Sequence, residues 1–203
     1  MARAGRLKIT QSMVYGLIFI TAAALMLYAR IRNLGLVFER DEGEYAYAGW
    51  LLMQGAPPYE GAYNMKFPGM YFIYAFIMAL MGKSEAAVRL GLLVAVLISA
   101  FFVCMISFRL YGKKAGIVSA AVFMTAGLSR NVMGLFANSE YFLLAAALPA
   151  FYLILDKGRR PLLKAAGAGA LLGAAFIIKQ HAVFFAVSYT HLRAHETVLD
   201  LVC

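Results

Sequence analysis

Leu90-Gly-Leu-Leu-Val-Ala-Val-Leu-Ile-Ser-Ala-Phe-Phe-Val-Cys-Met-Ile-Ser-Phe108 is a run of 19 residues without a single charge. A helix needs about 20 apolar residues to cross the hydrocarbon core of a bilayer, so this stretch reads as a membrane helix. The rest of the chain agrees. Of its 203 residues, 63% are apolar and only 14% charged, with a mean hydropathy of +0.75. A water-soluble domain carries about a quarter charged residues and cannot hide this much apolar surface in one core, so the excess has to face lipid.

Working outward, further apolar runs cover Met13–Ala29, Pro68–Gly82, Ala115–Leu128, Tyr141–Leu155 and Ala165–Ile178. The fold class expected is therefore an all-α integral membrane protein. The first run follows Arg3, Arg6 and Lys8. It is longer than the core of a secretory signal and closes on Leu-Tyr-Ala-Arg, which favours an uncleaved helix with a cytoplasmic N-terminus. Lys and Arg number 19 against 10 Asp and Glu, a formal net charge of +9. In a membrane protein such an excess marks cytoplasmic loops rather than a nucleic-acid surface, and no nucleic-acid partner is expected. Cys104 and Cys203 offer neither a disulfide framework nor a metal-binding spacing.

The basic residues decide the topology. If every run crosses, Arg109–Lys114 and Lys157–Arg160 fall outside, against the positive-inside rule. If Pro68–Gly82 instead dips in and returns, or lies shallow, both clusters become cytoplasmic. The expectation is thus about five transmembrane helices plus a short re-entrant or interfacial helix. The acidic loop, Lys66, Arg89 and the Asn138-Ser139-Glu140 turn then share the outer side.

Residues 30–67 hold Glu39, Asp41, Glu42, Glu44 and Glu60, half of all the carboxylates. Asp41–Gln54 reads as an outer-face amphipathic juxtamembrane helix with Tyr45, Tyr47 and Trp50, aromatic types that settle at an interface. Gly55 ends it, and Pro57-Pro58 prevent its continuation. Asp41 with Glu44 three residues on matches an acidic capping box. Carboxylates at the mouth of a helix bundle also suit a general base, a metal ligand or an acceptor anchor. Capping and catalysis both fit this spacing. Pro68 biases its predecessor toward extended backbone, which keeps Lys66 out of a helix and at a chain corner. A fixed ammonium at the bilayer rim suits an anionic lipid head group, although ordinary interfacial lysines are common. Arg89 and Glu140 are single charges at run ends, and His181 reads as interfacial.

From Ser188 to Cys203 the chain turns polar and interrupts an apolar run too short to span. SYTHLRAHETVLDLVC resembles a nonsense translation at the end of a gene fragment, and it is set apart from residues 1–187 as a non-native read-through tail. His191 and His195 within it have metal-like spacing but no third ligand.

Arg40-Asp-Glu-Gly-Glu-Tyr-Ala-Tyr47, Gln54-Gly55, Pro58-Tyr59, Asn64-Met-Lys-Phe-Pro-Gly69 with Tyr71, Arg89, Tyr111-Gly-Lys-Lys114 and Asn138-Ser-Glu140 occur in this order. Together they resemble the N-terminal half of the polytopic GT-C glycosyltransferases, in the aminoarabinose-transferase-like and protein O-mannosyltransferase-like group. The likeness runs from about residue 7 to residue 187. Lys-Phe-Pro stands where the group more often has Lys-Pro-Pro.

The resemblance implies sugar transfer from a polyprenyl-phosphate donor to a lipid, glycan or protein acceptor on the outer face of the cytoplasmic membrane. It implies Asp41 as general base with Glu42 as its support or a substrate ligand, and Lys66 on the leaving phosphate with Arg89 as a second candidate. Glu140 would orient acceptor or sugar, with Tyr45 and Tyr59 in substrate binding. No cofactor is implied, and a divalent metal is compatible but not required. Relatives of this kind carry more membrane helices and often a soluble C-terminal domain, so the chain is expected to be a part of such an enzyme, inactive alone. A transporter subunit or assembly factor is the alternative. Transporters place their charges near mid-membrane on broken helices, whereas the carboxylates here cluster in an interfacial loop.

Overall fold

A computed structural model of the chain describes residues 2–155, 160–185 and 187–188, with side chains from residue 11 onward except Arg130. Its elements are all helical: α1 (Ala2–Arg32), α2 (Arg40–Met53), α3 (Gly69–Met81), α4 (Glu85–Tyr111), α5 (Lys113–Ala126), α6 (Ser139–Leu155) and α7 (Pro161–Ile178), with single 3-10 turns at Arg130–Val132 and Gln180–Ala182. The segment read as a read-through tail, with His191 and His195, lies outside the described residues beyond Ser188, as does most of the Lys157–Arg160 cluster.

Three helical stretches are long and apolar enough to cross a membrane: Gln11–Arg32, Glu85–Tyr111 and Pro161–Ile178. Their outward side chains match that reading. Leu17 is 65% exposed and Leu162 84%, a cost in water but not in lipid. The other two expected spans are shorter. At 1.5 Å per residue α5 reaches ~21 Å and α6 ~26 Å, against a hydrocarbon core of about 30 Å, so each needs flanking residues or local thinning to cross.

Packing runs α1 on α5, α5 on α4, α4 on α6 and α6 on α7. Without a hydrophobic drive in lipid, such contacts rest on close approach. Gly116 of α5 supplies it at α4, where a Cβ would lie 2.8 Å from the Cys104 carbonyl oxygen. Ala147 and Ala150 of α6 and Ala168 and Ala175 of α7 are likewise small and essentially buried.

The helices α2 and α3 pair with each other, and α3 also meets α4 and α7. At its start, Gly69 abuts the last residues of α7, where a Cβ would sit 2.5 Å from the Ile177 carbonyl oxygen. Toward its finish, Ile77 covers Gly91 of α4, close to the point where Arg89 reaches Glu42 of α2. Both ends of α3 thus lie at the α2 end of the bundle. Gly82 (φ +93°) then turns the chain directly into α4, a conformation open mainly to glycine. The opposite end carries Lys114, which donates to Gln11 Oε1 at 3.2 Å and lies over the Tyr15 ring.

Candidate functional site

The cap of α2 lies two residues earlier than the spacing of Asp41 and Glu44 suggests, and this decides what Asp41 is free to do. Glu39, in extended backbone (φ −69°, ψ 164°), is the N-cap, and Glu42 completes a reciprocal capping box. The Asp41 amide donates to Glu39 Oε2 at 3.0 Å, and the Glu39 amide donates to Glu42 Oε2 at 2.9 Å. The expected Asp41/Glu44 box is therefore corrected to Glu39/Glu42. Asp41 occupies the first turn with its carboxylate uncommitted to the backbone.

That carboxylate meets Lys66 instead, with Nζ 3.1 Å from Asp41 Oδ2 and 3.6 Å from Glu44 Oε2. The same ammonium stands 4.7 Å from the Tyr45 ring centroid, within cation–π range. The motif residues around Lys66 hold its backbone on both sides. Asn64 Oδ1 accepts from the Lys66 amide at 3.1 Å, and the Tyr59 hydroxyl donates to the Lys66 carbonyl at 3.0 Å. Asn64 Nδ2 also donates to Glu44, tying the loop to α2.

Electrostatics follow from this packing. Burial by itself disfavours the ammonium. Hydrogen bonds to Tyr45 and Asp41 and the nearby charge of Glu44 outweigh it and hold Lys66 above the ordinary lysine range. For Tyr45, burial pushes the phenol up and outweighs the opposing pull of Lys66.

Glu42 and Arg89 are placed differently from the expectation. Both are buried, at 0% and 3% side-chain exposure. The two terminal guanidinium nitrogens of Arg89 donate to the two carboxylate oxygens of Glu42, Nη2 to Oε2 at 2.8 Å. Glu42 Oε1 also accepts from the Ala137 amide. Arg89 Nη1 donates to the Leu135 carbonyl at 3.1 Å. Two further side chains grip the same strip of backbone: Arg30 Nη2 donates to Gly134 O, and the Tyr74 hydroxyl to Ala137 O, each at 2.9 Å. Residues 134–137 are thus held from α1, α2, α3 and α4, immediately before Asn138-Ser139-Glu140.

A cavity of about 320 Å³ is lined by Asp41, Tyr45, Lys66, Asn138, Ser139 and Glu140, and on its far wall by Lys179, Gln180 and His181. The structure therefore brings Asp41, Tyr45, Lys66 and Glu140 together. It leaves Glu42 and Arg89 beneath the cavity rather than on it. Arg89 is paired with Glu42 and does not reach the cavity, and Glu42 is buried in that pair, away from the lining. Tyr59 stands outside the lining and acts on Lys66 through its backbone. Asn138 Oδ1 is buried with no hydrogen-bond partner among the described residues, an open acceptor on the wall.

The residues that sequence reasoning did not assign are Lys179 and Gln180, together with the site role of His181. Lys179 pairs with Glu140, and Gln180 Nε2 donates to the Met65 carbonyl at 3.3 Å. The available signal was a polar triplet following an apolar run on the side assigned to Asp41. Among the described residues, no three His, Cys, Asp or Glu side chains gather in metal-binding range.

The fold is a helical bundle with helices of membrane-spanning length, and carboxylates and lysines line one of its cavities. The family model described as dolichyl-phosphate-mannose-protein mannosyltransferase matches residues 65–194. The chain belongs to this family of membrane glycosyltransferases of the GT-C type. No curated protein and no solved structure matches it.

Proposed function

We propose that the chain takes part in sugar transfer from a polyprenyl-phosphate-linked donor to a hydroxyl of a lipid, glycan or protein acceptor, on the outer face of the cytoplasmic membrane. The observation that supports it is the gathering of Asp41, Lys66 and Glu140 on one cavity, beside the open Asn138 acceptor. In the reaction, the acceptor oxygen forms a bond to the anomeric carbon while the bond from that carbon to the phosphate oxygen breaks. The phosphate leaves with the electron pair, and the acceptor proton passes to the Asp41 carboxylate. One general base and a single displacement give inversion.

Lys66 stabilises the charge that develops on the leaving phosphate, where an opposite charge acts most strongly. Lys66 holds Asp41 at 3.1 Å. Arrival of the donor phosphate at Lys66 competes with that contact and releases Asp41 toward the acceptor. Glu140 orients the hydroxyls of sugar or acceptor. Glu42 and Arg89 act as positioning residues, through α2 and the 134–137 strip.

The test is release of polyprenyl phosphate from polyprenyl-phosphate mannose by the complete gene product in detergent, with a membrane extract as acceptor. Asp41→Asn keeps shape and removes basicity, so turnover should fall by about two to four orders of magnitude with the fold retained. Turnover near that of the unmodified chain would remove Asp41 as the base.

A further inference from the structure

The cavity has a second cation that the sequence reading left unassigned. We propose that Lys179 binds the anionic phosphate of the lipid-linked donor jointly with Lys66, an inference that rests on the proposed function and deepens it.

The charges on the wall point this way. Asp41 and Glu140 are the carboxylates that line the cavity, and Lys66 and Lys179 the ammonium groups, so these four charges balance. Lys66 alone would leave the lining net negative, and Glu44 stands close behind it. An anion would then be repelled from the pocket meant to receive it. With Lys179 present, each cation is held by its own carboxylate, Lys66 by Asp41 and Lys179 by Glu140. A phosphate exchanges with both carboxylates at once.

The backbone is built to hold the two lysines in register. Lys179 follows the end of α7 in extended conformation (φ −153°, ψ 130°). The segment on either side of it is docked on the Lys66 loop at three places: Gly69 against the Ile177 backbone, Phe67 edge-on to Phe176 at 5.2 Å, and Gln180 on the Met65 carbonyl. A pair with Glu140, itself 57% exposed, adds little to stability and needs no such construction.

The experiment titrates the purified full chain in detergent with farnesyl phosphate, using farnesol as the phosphate-free control. Lys179→Met should weaken farnesyl phosphate binding about tenfold or more, as loss of a charge-assisted contact does, and leave farnesol unaffected. Lys179→Arg should stay within about threefold of the unmodified chain, because the charge remains. Glu140→Gln should bind as well or more tightly, and Lys179→Met with Glu140→Gln should remain weak. Full recovery in that double variant would reduce Lys179 to a neutraliser of Glu140 and overturn the proposal. Unchanged binding by Lys179→Met while Lys66→Met loses it would also overturn it, leaving the proposed function standing. Equal binding of farnesyl phosphate and farnesol by the unmodified chain would overturn both.

Discussion

Arg89 meets Glu42 through both terminal guanidinium nitrogens, and neither side chain touches solvent to any useful extent. A buried pair of this kind gains little over an apolar substitute, yet removing one partner leaves the other as an uncompensated charge. Either Glu42→Gln or Arg89→Met should therefore lower stability by about 3–5 kcal/mol. Replacing both should recover only part of that loss, because the Leu135 carbonyl also loses its donor. Melting curves by fluorescence-detected gel filtration on the two single variants and the double would measure the coupling.

Capping and catalysis separate cleanly at the start of α2. Glu39→Ala removes the side chain that caps the helix and should cost about 1 kcal/mol. Asp41→Ala, by contrast, should change stability by no more than about 0.5 kcal/mol, as expected for a partly exposed residue outside the cap. Urea unfolding of the two variants, followed by helical circular dichroism, should rank them in that order. The reverse order would return the cap to Asp41.

The Lys66 ammonium sets a pH window. Its folded-state pKa lies above the ordinary value, so the stability it contributes is complete below the unfolded pKa and is lost only as pH rises through the folded one. That loss begins above about pH 10. Between pH 6 and 9 the stability of the native chain and of Lys66→Met should run parallel, and the two curves should converge only at more alkaline pH. An alkaline fall in activity below pH 9 would belong to another group.

Topology can be read by labelling. Both ends of α3 lie at the α2 end of the bundle, and Lys114 lies at the other with Gln11. In a background with Cys104 and Cys203 replaced, cysteines at positions 60 and 85 should react from the same side of the membrane, and one at position 113 from the opposite side. Labelling of position 85 from the side that labels 113 would make α3 a crossing helix.

The helical membrane fold was legible because the decisive signals are local. Uncharged runs, Gly and Pro at their ends and the sidedness of Lys and Arg are properties of neighbouring residues. The placement of α3 was also legible, since its run is short and the basic clusters would otherwise fall outside. The cap was misplaced by two residues, because Asp41/Glu44 and Glu39/Glu42 share the same spacing and only the extended backbone at Glu39 distinguishes them. Asp41, Tyr45, Lys66 and Glu140, singled out through their motifs, line one cavity. The burial of Arg89 and the arrival of Lys179 were not legible, because each depends on contacts with residues far away in the chain. A lone arginine at a helix start looks the same whether it faces a substrate or a buried glutamate.

The distances along the chain between these partners also set an order of events during synthesis. Glu42 precedes Arg89 by 47 residues, which at about 5–20 residues per second is a wait of roughly 2 to 9 seconds. Met65 precedes Gln180 by 115 residues, a wait of roughly 6 to 23 seconds at the same rate. Until α4 has been delivered, the Glu42 carboxylate has no countercharge and must remain in the watery interface, since an unpaired charge cannot be buried cheaply. The acidic loop therefore docks only after the fourth helix has emerged from the ribosome, and the cavity is walled in only after the seventh.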